Sequence, residues 1–267
     1  MIGLARLKPA AGYIGFGIVL YLLFLVATAP AIWFADFATR VSAGTVTLTQ
    51  ARGTLWHGVA QLHAGAPAGV RDLGKFQWRI APWWLALGRA QLAVELEGPS
   101  IRGQARVRIA RHRVDVDGLQ ATLPANLVTL VYGPAAFFEP TGTIELRSSK
   151  IELSGTGLIT KLEAQWLGAG GRFTGAASLG DYRIEVTGNG ENAAIRLTTL
   201  RGNLELSGQG EWHVVGDGAV RFTGSAVPRG DVTQLEPLLR ALGRDLGGGR
   251  RQIRFSTRIP LIQQLGL

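Results

Sequence analysis

Hydrophobic positions along this chain follow two rhythms. The first is a single unbroken run. No charged residue stands between Pro9 and Ala35, and the centre reads Tyr13-Ile14-Gly15-Phe16-Gly17-Ile18-Val19-Leu20-Tyr21-Leu22-Leu23-Phe24-Leu25-Val26. A helix needs roughly 20 apolar residues to cross a hydrocarbon core of about 30 Å. The run therefore predicts a transmembrane anchor over residues 10–34. Arg6 and Lys8 precede it, and the first charge after it is Asp36. Positive charge on that flank holds it in the cytoplasm, so residues 1–9 are expected inside and residues 35–267 on the far side. Trp33 and Phe34, with Phe37 beyond, fall where an aromatic belt marks the outer interface. Ala27-Thr28-Ala29 resembles a signal-peptidase site. The run exceeds the ~7–15 residues of a secretory h-region, and Pro30 would follow the cut, so a retained anchor is expected.

The second rhythm has period two and occupies the rest of the chain. Lys75-Phe76-Gln77-Trp78-Arg79-Ile80 alternates polar with apolar. Leu92, Val94 and Leu96 do so against Ala93, Glu95 and Glu97, and Val114 and Val116 against Asp115 and Asp117. Further on, Leu162, Ala164 and Trp166 oppose Lys161, Glu163 and Gln165, while Tyr182, Ile184 and Val186 oppose Arg183, Glu185 and Thr187. Such alternation predicts strands with one apolar and one polar face, and glycine turns at near-regular spacing predict an antiparallel meander. Short helices are expected where Pro82 opens and Gly88 closes an apolar stretch, over Pro124–Tyr132, and over Leu235–Leu242. Gly53-Thr54-Leu55, Gly142-Thr143-Ile144 and Gly202-Asn203-Leu204 read as repeated turn chemistry at strand openings. The expected fold is mainly β: an N-terminal transmembrane helix followed by a large curved antiparallel β-meander with three short helices.

That fold poses a burial problem. Many strands present an apolar side and few helices can cover it, so either the sheet curls onto itself or another molecule closes it. Leu162, Trp166, Tyr182, Ile184 and Val186 are the residues expected to line such an apolar groove. A phospholipid tail or a partner's strand are the candidate occupants.

Composition narrows the chemistry. The net charge of +9 is dispersed arginine, which reads as a solvated strand face beside an anionic membrane and not as a nucleic-acid site. There is no cysteine, so stability must come from burial and β-ladders. No nucleophile elbow, phosphate loop or H-E-x-x-H motif occurs. His57 and His63 sit six residues apart, about 20 Å along a strand, too far to share a metal. Asp115 and Asp117 lack the later ligands of a calcium loop. No catalytic, cofactor or metal residues are expected, and the protein reads as a non-enzyme. Trp56, Trp83 and Trp84 remain as candidate contacts for a partner or a membrane.

Three stretches together carry a resemblance. They are the N-terminal anchor, Ala51-Arg52-Gly53-Thr54-Leu55-Trp56-His57-Gly58, and Trp78-Arg79-Ile80-Ala81-Pro82 with Gly88-Arg89 after its helix. In these the chain resembles protein N of the bacterial type II secretion system, and the Leu235–Leu242 helix before a glycine-rich turn agrees. The resemblance implies a single-pass accessory of the inner membrane with a periplasmic β-domain. It also implies a non-catalytic scaffold role in moving proteins across the outer membrane, with other secretion components as partners. The alternative is a membrane-tethered domain that binds or transfers phospholipid.

Overall fold

In the computed structural model, which describes residues 7–42, 44–66, 69–85, 87–131, 133–172, 178–229 and 245–265, the alternating segments form one 14-stranded sheet. The strands are β1 (Val46–Gly53), β2 (His57–Ala66), β3 (Gly69–Ile80), β4 (Ala90–Glu97), β5 (Arg102–Ala110), β6 (Arg113–Pro124) and β7 (Thr141–Ser154). They continue as β8 (Gly157–Gly170), β9 (Gly180–Gly190), β10 (Asn192–Gly202), β11 (Leu204–His213), β12 (Ala219–Pro228), β13 (Asp245–Gly247) and β14 (Arg250–Arg258). Each pairs antiparallel with its sequence neighbour until the end, where β14 pairs with β12 and the short β13 lies outside it.

Register follows the alternation. Trp78 stands opposite Val94, Leu92 opposite Val107, Val116 opposite Ile151, Ala164 opposite Ile184, and Phe222 opposite Phe255. A one-residue slip anywhere would turn these side chains to the polar side; the face they share is mainly apolar, with buried Ser148 and Thr160 set into it. Bulges break the register at Thr49/Arg52, Gln104/Arg106, Ser148/Ile151 and Thr199/Arg201. Each adds local twist and bends its strand. Bending is tightest between β8 and β11, where strands two apart bring Cα atoms within 8 Å. In a flat sheet that separation is about 9.5 Å.

Helices are few. α1 (Leu7–Ala27) and α2 (Ile32–Val41) precede the sheet. α3 (Pro82–Leu85) joins β3 to β4, α4 (Val128–Val131) lies between β6 and β7, and α5 (Leu261–Leu265) follows β14. The apolar run thus divides, where one continuous helix over 10–34 was expected. The break at Thr28–Ala31 has a physical cause: Ala31 N–H donates to the Gly53 carbonyl (3.2 Å), Leu55 N–H donates to the Ala29 carbonyl (2.7 Å), and Pro30 bridges to Thr54. The chain there pairs with the sheet and cannot continue as helix. Among the described residues no helix is both long and apolar enough to cross a membrane; α1 runs 21 residues, with side chains described from Tyr13 onward. The helix expected over Leu235–Leu242 lies outside the described residues, as does Arg6.

Three clusters make up the core. Ala31, Ala60 and Trp78 gather Phe34, Leu48, Phe76, Ile80 and Leu92 beneath α2. Ala169, Leu179, Tyr182, Leu204 and Ala226 form the second cluster, where the sheet bends most. Leu153, Leu158, Ala193 and Val214 form the third and are capped by Ile262 of α5.

Candidate functional site

Two regions bring chemistry-bearing residues together: the joint between α1 and the sheet, and the apolar face of β8 and β9.

The joint is built almost wholly from Arg52-Gly53-Thr54-Leu55-Trp56-His57-Gly58. The Trp56 indole Nε1–H donates to the Val26 carbonyl (2.8 Å) in the last turn of α1. Its own carbonyl accepts from Ile80 N–H (2.6 Å) at the end of β3. The Leu55 carbonyl accepts from Trp78 Nε1–H (3.0 Å). Gly58 is needed because the Trp78 ring lies across it: a Cβ there would sit 2.4 Å from the indole, well inside contact distance. Phe34 stacks on Trp78 with ring centroids 4.5 Å apart and planes 18° from parallel. Phe34 is therefore a packing residue of the first cluster and not a belt residue on an anchor flank. Trp33 points outward. Lys8 lies in α1.

The tryptophans divide by role. Trp78 is 3% exposed. Trp56 is half-buried with its N–H spent on α1. Trp84 is half-buried, and Trp83 is 70% exposed.

The five groove residues do share one face. Leu162 stands opposite Val186, Trp166 opposite Tyr182, and Ile184 beside Leu197 of β10. Tyr182 is buried, and the other four are half-buried. Its hydroxyl reaches past β10 and donates to the Leu204 carbonyl (2.9 Å). That contact fastens the bend; burial, and then the negative charge of neighbouring Asp181, push the phenol pKa up. Beside it Asp181 accepts from Gly168 N–H (2.7 Å) and pairs with Arg201. The backbone hydrogen bond, and then Arg201, hold its carboxyl below the usual range. This pin was not foreseen; its only trace in the sequence is a carboxylate at the start of a strand, next to a glycine.

Two hollows open on the polar side of the sheet. A concavity of about 560 Å³ is lined by Glu185, Arg196, Gln209, Glu211 and Arg221. One of about 420 Å³ is lined by Gln77, Glu95, Arg102, Gln104 and Gln120. These are polar-face residues. Strong twist makes a sheet saddle-shaped, so either face can be locally hollow.

The scattered polar candidates are held structurally. His63 Nε2 lies 2.9 Å from Thr49 Oγ1, and His57 Nδ1 lies 3.4 Å from Thr54 Oγ1. Asp115 pairs with Arg113 and Asp117 with Arg108, both at 2.6 Å. Among the described residues no three His, Cys, Asp or Glu side chains come together as a metal site.

Comparison with known proteins adds one finding. The sequence model of the family described as type II secretion system (T2SS), protein N matches residues 44–254. That span starts just before β1 and ends within β14, so α1 and α2 lie outside it. No curated protein and no solved structure matches the chain.

Proposed function

Because the chain belongs to the type II secretion system protein N family and is thus an accessory component of that system, we propose that it works as a non-catalytic scaffold tethered to the inner membrane by α1. Its N-terminus is cytoplasmic and its β-sheet periplasmic, where it meets other secretion components. The observation that carries this reading is α1 itself. Every side chain from Tyr13 to Thr28 is exposed, and those from Ile18 to Val26 are all large and apolar. A helix that is apolar all round wants a nonpolar surrounding on every side, and the sheet supplies none of it. The helix projects from the domain, and lipid is the solvent that suits it.

The test is topological and functional. A C-terminal alkaline phosphatase fusion should be active, and the chain should stay with membranes through alkaline carbonate. Secretion of a type II substrate should fail when α1 is replaced by a cleavable signal peptide and recover with an unrelated single-pass anchor. An inactive fusion, carbonate release, or full secretion by the untethered chain would each reject the reading.

The apolar face of β8 and β9 favours one second reading, phospholipid binding along Leu162, Trp166, Ile184 and Val186. Native mass spectrometry of the chain in a non-lipid amphipol separates the two. Retained phospholipid, lost in Ile184→Asn, supports lipid binding; its absence leaves the scaffold.

A further inference from the structure

The tip between β3 and β4 has more apolar surface than its fold can use. Trp83, Leu85 and Leu87 are 70%, 45% and 68% exposed, yet they follow one another around a single helical turn and its exit. An isolated exposed leucine needs no explanation, but a contiguous group of this size marks a contact surface.

Its position identifies the contact. The last turn of α1 is hydrogen-bonded to Trp56, and Trp56 is hydrogen-bonded to Ile80. Pro82 opens α3 two residues later. The β3–β4 tip therefore emerges beside the point where α1 leaves the domain. The next tip along the sheet joins β5 to β6 and lies at the same end, since Ala90 pairs with Ile109 and Ala110 with Arg113. It carries Arg111, and the β3–β4 tip carries Arg89. Both are exposed, and neither has an acidic partner among the described residues. Ile32 and Trp33, which open α2 just after the joint, are exposed as well.

We propose that this end of the sheet is a second membrane contact. Trp83, Leu85 and Leu87 insert into the interfacial layer of the bilayer that holds α1, and Arg89 and Arg111 face anionic lipid phosphates. The inference rests on the anchored reading above. Apolar area and cationic charge on one surface are the two terms that hold an interfacial segment on an anionic membrane. A tryptophan suits the boundary because its ring is apolar and its N–H is polar. The contact adds a second point of attachment beside the joint and so fixes the tilt of the sheet against the bilayer.

The natural absence of cysteine makes the test clean. Full-length chain carrying Leu87→Cys, Ser100→Cys or Leu22→Cys, labelled with an environment-sensitive fluorophore, is reconstituted in anionic vesicles with or without a lipid-borne quencher. Ser100 lies in the opposite turn, β4–β5, about 25 Å away along the strand, and Leu22 reads the anchor. Quenching at Leu87 should exceed that at Ser100 by about twofold or more, and should fall in zwitterionic vesicles or in Arg89→Glu/Arg111→Glu. Quenching at Leu22 with none at Leu87 overturns the tip contact and leaves the anchor standing. Equal quenching at Ser100 overturns it too, since the whole sheet would then lie against lipid. No quenching at Leu22 rejects the anchored reading itself.

Discussion

Two regions of this sheet are held by different means. At the β1–β3 end, contacts cross between the sheet and the segments before it: Trp56 to Val26, Leu55 to Ala29, and Phe34 stacked on Trp78. At the β8–β11 bend, the ties run from strand to strand: Tyr182 to Leu204, and Asp181 to Gly168 and Arg201. The first set decides how the sheet sits on α1, and the second decides how sharply the sheet bends. Position and shape are thus separable, and substitutions should damage one without the other.

The largest effect is expected at the first end. Trp78→Ala removes a buried ring, its stack on Phe34 and its hydrogen bond to Leu55, and should cost about 3–5 kcal/mol. Urea unfolding in detergent reads the loss. Limited proteolysis should cut first near residues 28–31, where the joint has opened. Cutting first between β8 and β11 would break the division proposed here.

At the bend Gly202→Ala should cost about 2 kcal/mol or more. Gly202 has φ of +135°, and its Cβ would lie 2.3 Å from both Gly180 Cα and the Leu179 carbonyl oxygen. The backbones of β9 and β10 are too close there for any side chain. The same measurement should show loss of stability with the joint still protected from protease.

Tyr182→Phe is milder. It keeps the ring against Trp166 and removes only the hydroxyl that donates to Leu204, for about 1 kcal/mol. Tryptophan emission from Trp166 should shift as the bend relaxes, while the Phe34–Trp78 stack stays intact.

How much of this was legible in the sequence divides along the same line. Period-two alternation and glycine punctuation showed the meander, and they required Leu162–Trp166 and Tyr182–Val186 each to present one apolar face; which residues stand opposite one another came from the ladder itself. Gly53, Gly142 and Gly202 all take positive φ, so they share a backbone demand that glycine meets, though not a place at strand openings. Gly53 and Gly202 close strands, and Gly142 sits at a bulge inside one. What the sequence concealed was partnership across distance. Phe34 looked like part of an apolar run because periodicity cannot tell lipid from a tryptophan ring contributed by β3. The Arg52–Gly58 stretch stood out as a string, but its use as a joint depends on backbone hydrogen bonds to residues 29–31, which leave no mark in side-chain pattern, and on a Trp56 side chain whose partner is a distant carbonyl. The polar hollows came from twist, which accumulates over many strands and which no local window reports.

The smallest expected effect is on acid stability, and it tests whether the Asp181 pin belongs to the bend. In the folded chain the Asp181 carboxyl titrates below its ordinary value of 3.8, first because Gly168 N–H donates to it and then because of Arg201. A carboxylate with a depressed folded pKa binds its proton more readily when unfolded. Its contribution is therefore complete above the unfolded pKa of about 3.9. It is lost as pH falls through the lower folded value. Stability measured from about pH 5 downward should decline less steeply in Asp181→Asn than in the natural chain. The amide can still accept from Gly168, so the variant should fold, having lost only its pairing with Arg201. Asp72 near the first end is also held below its ordinary value, by Gly74 N–H and then Gln61. It is exposed, and solvent weakens whatever it adds. Asp72→Asn should thus change the slope less than Asp181→Asn. The reverse order would mean that the far end of the β2–β3 ladder, and not the bend, contributes the larger acid-sensitive part.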